Sequence, residues 1–467
     1  MTHIKVSDEL IKFIEKCPSM FHTVRTISEE LNEAGYTYLK EGQSWNIEKG
    51  GKYYTTRNGS SLIAFQIGST RGDYHFQLSA AHSDSPTFKL KTVPETEGQG
   101  GYLKLNVEGY GGMIDSSWLD RPLTIAGRVM VQEGDQIESR LVHIDKDLLI
   151  IPNVCIHFNR KINDGYTYNR QVDLCPLFSA GELTKGDFDK LIAEACGIEN
   201  AQDAKKEPMP GGAPAAETTR ILGKDLFLVN RQRGVVWGAE AEFVSSPRLD
   251  DLQCAFASLK GFLAAENNRA VNVYCVFDNE EVGSNTKQGA MSTFLYDTLQ
   301  RINIGLGKTA EDYYSAVARS FLVSCDNAHA VHPNHPELSD KDNAPYMNKG
   351  IVIKENANQK YTTDAVSRAA FTAICNKAGV PVQTFANRSD IAGGSTLGNL
   401  SNTQVSLNAV DIGLPQLAMH SSFETAGSRD TEYAIRALKA FFETDIEIGE
   451  GGIRLLTKEV QDGIEIG

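Results

Sequence analysis

A strand-like apolar run, VNVYCVF (Val271–Phe277), ends on Asp278, Asn279 and two adjacent glutamates, Glu280 and Glu281. Neighbouring carboxylates repel each other, so this arrangement needs either open water or a strong positive charge held beside it. Three further places leave an apolar run, or precede a helix, with side chains able to ligate a metal: His82 and Asp84 in AAHSDSP, Asp250 and Asp251 in SPRLDDL, and Asp326 in SCDNAHAVHPNH. A fifth, His420 in PQLAMHSSFETAG, falls in a loop ahead of the last helical pattern. Imidazole and carboxylate donors suit Zn2+, with Mn2+ or Co2+ able to substitute. Taken singly, each place has an ordinary explanation: a solvated strand end, a helix cap, a satisfied core histidine. Only their convergence on one rim would make a site.

The elements expected to position these residues are legible as apolar patterns. Ser7 is a candidate cap for a helix carrying Leu10, Ile11 and Ile14, and a second helix carrying Phe21, Val24, Ile27 and Leu31 stops at Gly35. SLIAFQIG and YHFQLSAAHSDSP read as strands, the second running into His82 and Asp84. From 93 to 237 the texture changes to short alternating segments (YLKLNV, LTIAGRVMV, SRLVHI) separated by Gly and Asp turns, which reads as a β-rich insertion. Within it, KKEPMPGGAPAAETT (Lys205 to Thr219) has the composition of a mobile loop. After the insertion, helical LDDLQCAFASLKGFLAAE, strand-like VNVYCVF and SFLVSC, and a closing helix beginning at Asp430 alternate. Such alternation predicts a mainly parallel sheet covered by helices, formed by 1–92 together with 238–467. Open sheets of this class build their sites outside the carboxyl ends of the strands, where the acidic and histidine residues stand. GGSTLG (Gly393 to Gly398) lacks the lysine of a phosphate loop and reads as a tight turn, and the HAVHPNH spacing is interrupted by Pro333.

Bulk properties narrow the partners. A chain of 467 residues exceeds one simple core, so two domains are expected. A formal net charge of -14, without basic stripes, argues against nucleic acid. No apolar stretch is long enough to span a bilayer, and the charged start MTHIKVSDELIKFIEK does not resemble a secretory signal, so a cytoplasmic location without membrane association is expected. Eight cysteines are dispersed without a CxxC pair, as reduced thiols would be.

In sequence and in order, AAHSDSP, RLDDL, DNEEVGS, SCDNAHAVHPNH and LAMHS resemble the motifs of the aspartyl-aminopeptidase family of two-zinc metallopeptidases. The resemblance spans nearly the whole chain. It implies a zinc-exopeptidase-like α/β sheet covered by helices, with an inserted β-rich dimerisation domain at 93–237. It implies two divalent metal ions per subunit, Zn2+ foremost. His82 and Asp326 would hold one, Glu281 and His420 the other, and Asp250 would bridge them; Asp84 would orient His82, and Glu280 would act as general base. Asp251 departs from the Asn common in the family. The two dications would bring four positive charges against three from Asp250, Glu281 and Asp326, which answers why two glutamates can sit side by side.

The family removes one residue, typically Asp or Glu, from the free N-terminus of short peptides. Lys354 in IVIKENANQKY matches a position expected to face the acidic side chain, while NRSDIAGGSTLG departs from the eukaryotic members, leaving neutral N-terminal residues as an alternative. His157 in IPNVCIHFNR matches a histidine lent across the dimer interface to steady the oxyanion. The resemblance further implies a homo-dodecamer built from dimers. Two other readings compete: a deacylase or carboxypeptidase-like amidohydrolase on the same dimetal scaffold, and a metal-binding shell without catalysis, which the presence of Glu280 and all five ligands disfavours.

Overall fold

The computed structural model describes residues 2–69, 74–198, 219–449 and 452–456. The chain divides into two compact units: Met1–Ser85 with Gly234–Met419 and Glu424–Gly467, and Pro86–Arg233 with His420–Phe423. All of the Lys205 to Thr219 segment except Thr219 lies outside the described residues.

The first unit is built on a nine-stranded sheet. From one edge its strands run Thr37–Tyr38, Lys52–Arg57, Ser61–Ile67, Val271–Phe277, Phe76–His82, Phe321–Cys325, Asn408–Gly413, Ile351–Lys354 and Val382–Phe385. The four central strands, from Val271–Phe277 to Asn408–Gly413, are mutually parallel, and antiparallel pairings enter on either side of them. Along Val271–Phe277 every residue is buried, because successive side chains enter different cores: Val273 and Cys275 pack with Phe65, Phe76, Leu78, Phe294 and Leu299 on one face, while Tyr274 and Val276 pack with Leu10, Ile27, Phe256 and Leu438 on the other. A strand covered on both faces reads as a continuous apolar run, which is why its polar terminus stands out in the sequence.

The first covering face carries His3–Lys16, Met20–Glu33, Leu249–Ala264, Ala365–Lys377 and Asp430–Glu443. Leu249–Ala264 is apolar almost all round and is buried against Asp430–Glu443 and the central strands. Ser7 does not cap the first helix. That helix begins at His3 with Thr2 ahead of it, and the buried Ser7 hydroxyl instead donates to the Ser428 carbonyl at 3.1 Å. A second, five-stranded sheet, ordered Val235–Trp237, Phe243–Ser246, Glu424–Gly427, Pro415–Leu417 and Ala328–His329, gathers the segments just before Leu249 and just after Asp326; neither its pairing nor its strands were evident in the sequence pattern.

The second unit is a six-stranded antiparallel sheet in the order Gln136–His143, Leu123–Glu133, Arg220–Asn230, Thr87–Glu97, Tyr102–Tyr110 and Leu177–Ala180, with the helix Asp187–Ala195. Its core joins Phe88, Leu105, Trp118, Ile125, Val129, Phe188 and Leu228. The alternation seen in the sequence holds over the second half of Leu123–Glu133, where Val129 and Val131 are buried and Arg128 turns to Asp225 at 3.0 Å, whereas residues 123–127 are all buried.

Candidate active site

Strand register carries the candidate residues to one rim. Phe277 pairs directly with His82, and Phe321–Cys325 runs parallel beside the His82 strand, so Glu280, Glu281 and Asp326 emerge at the same carboxyl end. Immediately after Phe277 the chain must turn. Asn279 adopts the left-handed conformation (φ 62°), which its short amide side chain tolerates, and Asn279 Oδ1 accepts hydrogen bonds from Thr286 Oγ1 and Gln288 Nε2, both at 2.8 Å. A single 3-10 turn, Glu280–Val282, follows. Asp250 enters from the other side, at the start of Leu249–Ala264, where Asp250 (φ -81°, ψ 109°) and Asp251 (φ -115°, ψ 19°) are not yet helical and are joined by a cis peptide bond.

These arrivals produce a buried knot of acids around one imidazole. His82 Nε2 lies 3.5 Å from Asp250 Oδ1, and His82 Nδ1 lies 3.4 Å from Asp84 Oδ1 and 3.1 Å from the Asp84 carbonyl oxygen. Ligand-capable atoms of His82, Asp250, Asp251 and Asp326 all fall within 4.8 Å of one another, as do those of His82, Glu280 and Glu281. His82, Asp84 and Asp250 are 1%, 1% and 3% exposed, so water cannot screen them.

The backbone of the knot is held by carboxylates. Asp84 accepts the amide N–H of Glu280 through Oδ1 and that of Glu281 through Oδ2, each at 3.2 Å. Asp251 Oδ2 accepts the His82 N–H at 3.0 Å, and Glu424 Oε2 accepts the Asp250 N–H at 3.0 Å. Asp251, which the sequence presented only as an added charge, is therefore fully buried and structural to His82. Glu424 was not recognisable beforehand: it sits in a buried strand position, and its partner is 174 residues away.

Titration behaviour reflects the crowding. Burial, with Asp326, Asp84 and Asp250 adding to it and His82 opposing, pushes Glu280 up to about 8. Burial and Asp250 raise Glu281, and burial raises Asp326 and Asp251. Burial pulls the His82 imidazole down, but Asp251, Asp250 and Asp84 outweigh it and hold its pKa well above the ordinary value. One imidazole among closely spaced carboxylates, with Asp251 Oδ1 buried and without a hydrogen-bond partner among the described residues, is a donor set that fits divalent metal.

The remaining expected residues lie as follows. Lys354 is 3% exposed; Nζ donates to the Asn327 carbonyl at 2.8 Å and is 3.8 Å from Asp326 Oδ2, so the charge expected to face an acidic substrate is engaged inside the protein. His420 follows the strand Pro415–Leu417 by three residues, has φ 66°, and groups with the second unit through its carbonyl, which accepts the Ile114 N–H at 3.0 Å. His157 occupies an exposed turn of the second unit, flanked by Val154, Ile156 and Phe158, which are 51%, 48% and 88% exposed.

A mainly parallel α/β sheet with an acid-and-imidazole cluster at its carboxyl rim defines a metallohydrolase-type protein. Residues 13–442 match the family described as Aminopeptidase I zinc metalloprotease (M18), and the chain belongs to that family. It is 46% identical over 447 residues to a Clostridium novyi (strain NT) protein named "Probable M18 family aminopeptidase 2", covering 94% of this chain and 99% of that one. A Pseudomonas aeruginosa (strain LESB58) protein of the same name is 38% identical over 442 residues, covering 94% and 98%. Among solved structures, a chain in "Cryo-EM structure of the Ape4 and Nbr1 complex" superposes with a TM-score of 0.86 at 36% identity, covering 93% of this chain and 85% of that one. "Structure of S. cerevesiae mApe1 dodecamer" gives 0.79 at 27%, covering 94% and 96%. The protein is a metal-dependent aminopeptidase. No helix among the described residues is long and apolar enough to cross a membrane.

Replacing Asp84 by Ala should release both glutamate amides, while the His82 ring keeps only its contact with the backbone carbonyl at position 84. Metal affinity, read by chelator competition, is expected to fall by about 10- to 100-fold; unchanged affinity would mean that the turn holds its shape without this carboxylate.

Proposed function

We propose that the rim holds two divalent cations, Zn2+ foremost, and that the enzyme removes acidic residues from the N-termini of short peptides. The observation that carries the reading is that His82 is shared by two groups of possible metal donors at the carboxyl end of the parallel strands, one with Asp250, Asp251 and Asp326 and one with Glu280 and Glu281. Bound cations would polarise the scissile carbonyl and acidify a water. Among this chain's residues, His82 and Asp326 would hold one ion and Glu281 the other, with Asp250 between. His420 would complete the second set, as the resemblance implies. Glu280 takes the proton from the attacking water and delivers it to the departing amine. Asp84, set against His82 Nδ1, keeps the ring oriented.

For acidic side chains we assign Lys354 as counter-charge on the family resemblance alone, since its ammonium is buried and already engaged by the Asn327 carbonyl and Asp326. The second unit is proposed as the dimerisation domain. Exposed Val154, Ile156 and Phe158 around His157 have the character of an interface core, and His157 would reach a neighbour's substrate oxyanion. The relative solved as a dodecamer supports a closed assembly of such dimers, and eight free cysteines are in keeping with a cytoplasmic location.

Glu280→Gln should abolish turnover while two metals remain bound; loss of metal instead would show that Glu280 is a ligand. After chelation and re-addition of Zn2+, Mn2+ or Co2+, peptides beginning with Asp and Glu should outrun those beginning with Leu and Lys, and Lys354→Met should narrow that gap. A uniform loss across all four would confine Lys354 to supporting Asp326. His157→Phe in the intact oligomer is expected to cut kcat by ~10²-fold or more, as losing an oxyanion donor does; full activity would remove His157 from the site.

A further inference from the structure

We infer that Glu424 and Ser85 are positioning residues that together fix the direction of the Asp250 carboxylate by holding both of its peptide groups. The inference rests on the reading of Asp250 as the ligand shared by the two cations.

Asp250 is the first acidic residue of Leu249–Ala264, but its backbone is extended rather than helical, so neither its N–H nor its C=O can join the helix ladder. Both groups are buried, where an unpaired amide or carbonyl is strongly disfavoured. Two side chains from distant segments supply the missing partners. Glu424 Oε2, on the strand Glu424–Gly427, accepts the Asp250 N–H at 3.0 Å. Ser85 Oγ, three residues beyond His82, donates to the Asp250 carbonyl at 2.8 Å. Glu424 and Ser85 are 2% and 8% exposed, so water does not compete effectively for either bond. With the peptide groups on either side pinned, the Cα–Cβ bond of Asp250 has one direction, and the carboxylate is left with only its own two torsions to satisfy two cations.

Glu424 has a second neighbour of consequence. Arg248, half-buried with a left-handed backbone (φ 59°), feels its charge while donating from Nη2 to the Ile14 carbonyl at 3.2 Å. Loss of Glu424 could thus act through the arginine instead of through Asp250. Gln at 424 separates the two, because it keeps an oxygen acceptor for the amide and discards the charge.

The experiment compares Glu424→Ala, Glu424→Gln and Ser85→Ala in the full-length enzyme, reading Zn2+ affinity by chelator competition, Zn2+ stoichiometry, and kcat and KM separately. In E424A the apparent Zn2+ dissociation constant should rise by about 10- to 100-fold and kcat should fall with KM nearly unchanged, while E424Q should stay within about threefold of the parent. Ser85→Ala should shift both quantities in the same direction by a smaller factor. An E424A enzyme that binds Zn2+ like the parent, or an E424Q enzyme as weak as E424A, overturns the inference, the latter because charge on Arg248 would then be what matters. Should E424A fail to fold, parental Zn2+ affinity in S85A overturns it as well. Asp250→Ala, run alongside, tells the two levels apart: if it keeps full Zn2+ occupancy, the assignment of Asp250 as a ligand fails; if it loses Zn2+ while E424A does not, only the positioning role fails.

Discussion

Mutual repulsion among buried carboxylates is the constraint around which this molecule is arranged. Asp84, Asp250, Asp251 and Asp326, which are buried, and Glu280 and Glu281, which are half-buried, are drawn to one rim of a sheet whose faces are apolar, with the His82 imidazole among them. Left to themselves, such groups would take up protons, and the raised pKa values of Glu280, Glu281, Asp251 and Asp326 express that tendency. A divalent cation reverses the balance, because the same proximity that makes the acids repel each other makes them a dense cage for positive charge. The acids therefore constitute a donor set well matched to the zinc chemistry of the M18 family.

The acids divide into two kinds of work. One set presents oxygen atoms toward the space where cations would lie. Another set spends its oxygens on backbone amides: Asp84 on Glu280 and Glu281, Asp251 on His82, Glu424 on Asp250. Each of those amides belongs to a proposed metal ligand or to the proposed base. This matters because the site is assembled at strand ends and at an irregular helix entry, where the regular ladder no longer holds the chain. Carboxylate-to-amide bonds replace the ladder there, and they carry negative charge into the cluster as they do so. Rigidity and electrostatic crowding thus come from the same groups.

The two units make different demands on their sequences. The central strands of the nine-stranded sheet need apolar side chains on both faces, so they appear as uninterrupted runs with polar punctuation at their ends. In the six-stranded sheet burial alternates only along part of each strand, as over residues 128–132, while residues 123–127 and 226–230 are buried throughout. Within that second unit, the exposed Val154 to Phe158 turn has an apolar character that a solvated loop has no reason to keep, which is the ground for placing a partner copy there.

Local pattern alone was enough for the parallel core, the buried helix Leu249–Ala264, the closing helix at Asp430 and the coincidence of acidic residues with strand ends, because each depends on the order of apolar and polar residues within a few turns or strands. Motif order was enough for the family. The start of the first helix differs from the pattern-based expectation, since a serine buried against the Ser428 carbonyl resembles a cap until the fold shows where it points. Which acids hold backbone amides was decided only by tertiary structure: Glu424 and Asp250 are 174 residues apart, Ser85 and Asp250 165, and Lys354 meets Asp326 although the strand Asn408–Gly413 lies between theirs. Nothing in a one-dimensional chain distinguishes an oxygen bound for an amide from one bound for a cation. That difference is a matter of distance and direction, and both are set by sheet register and by the close packing of the helices behind it.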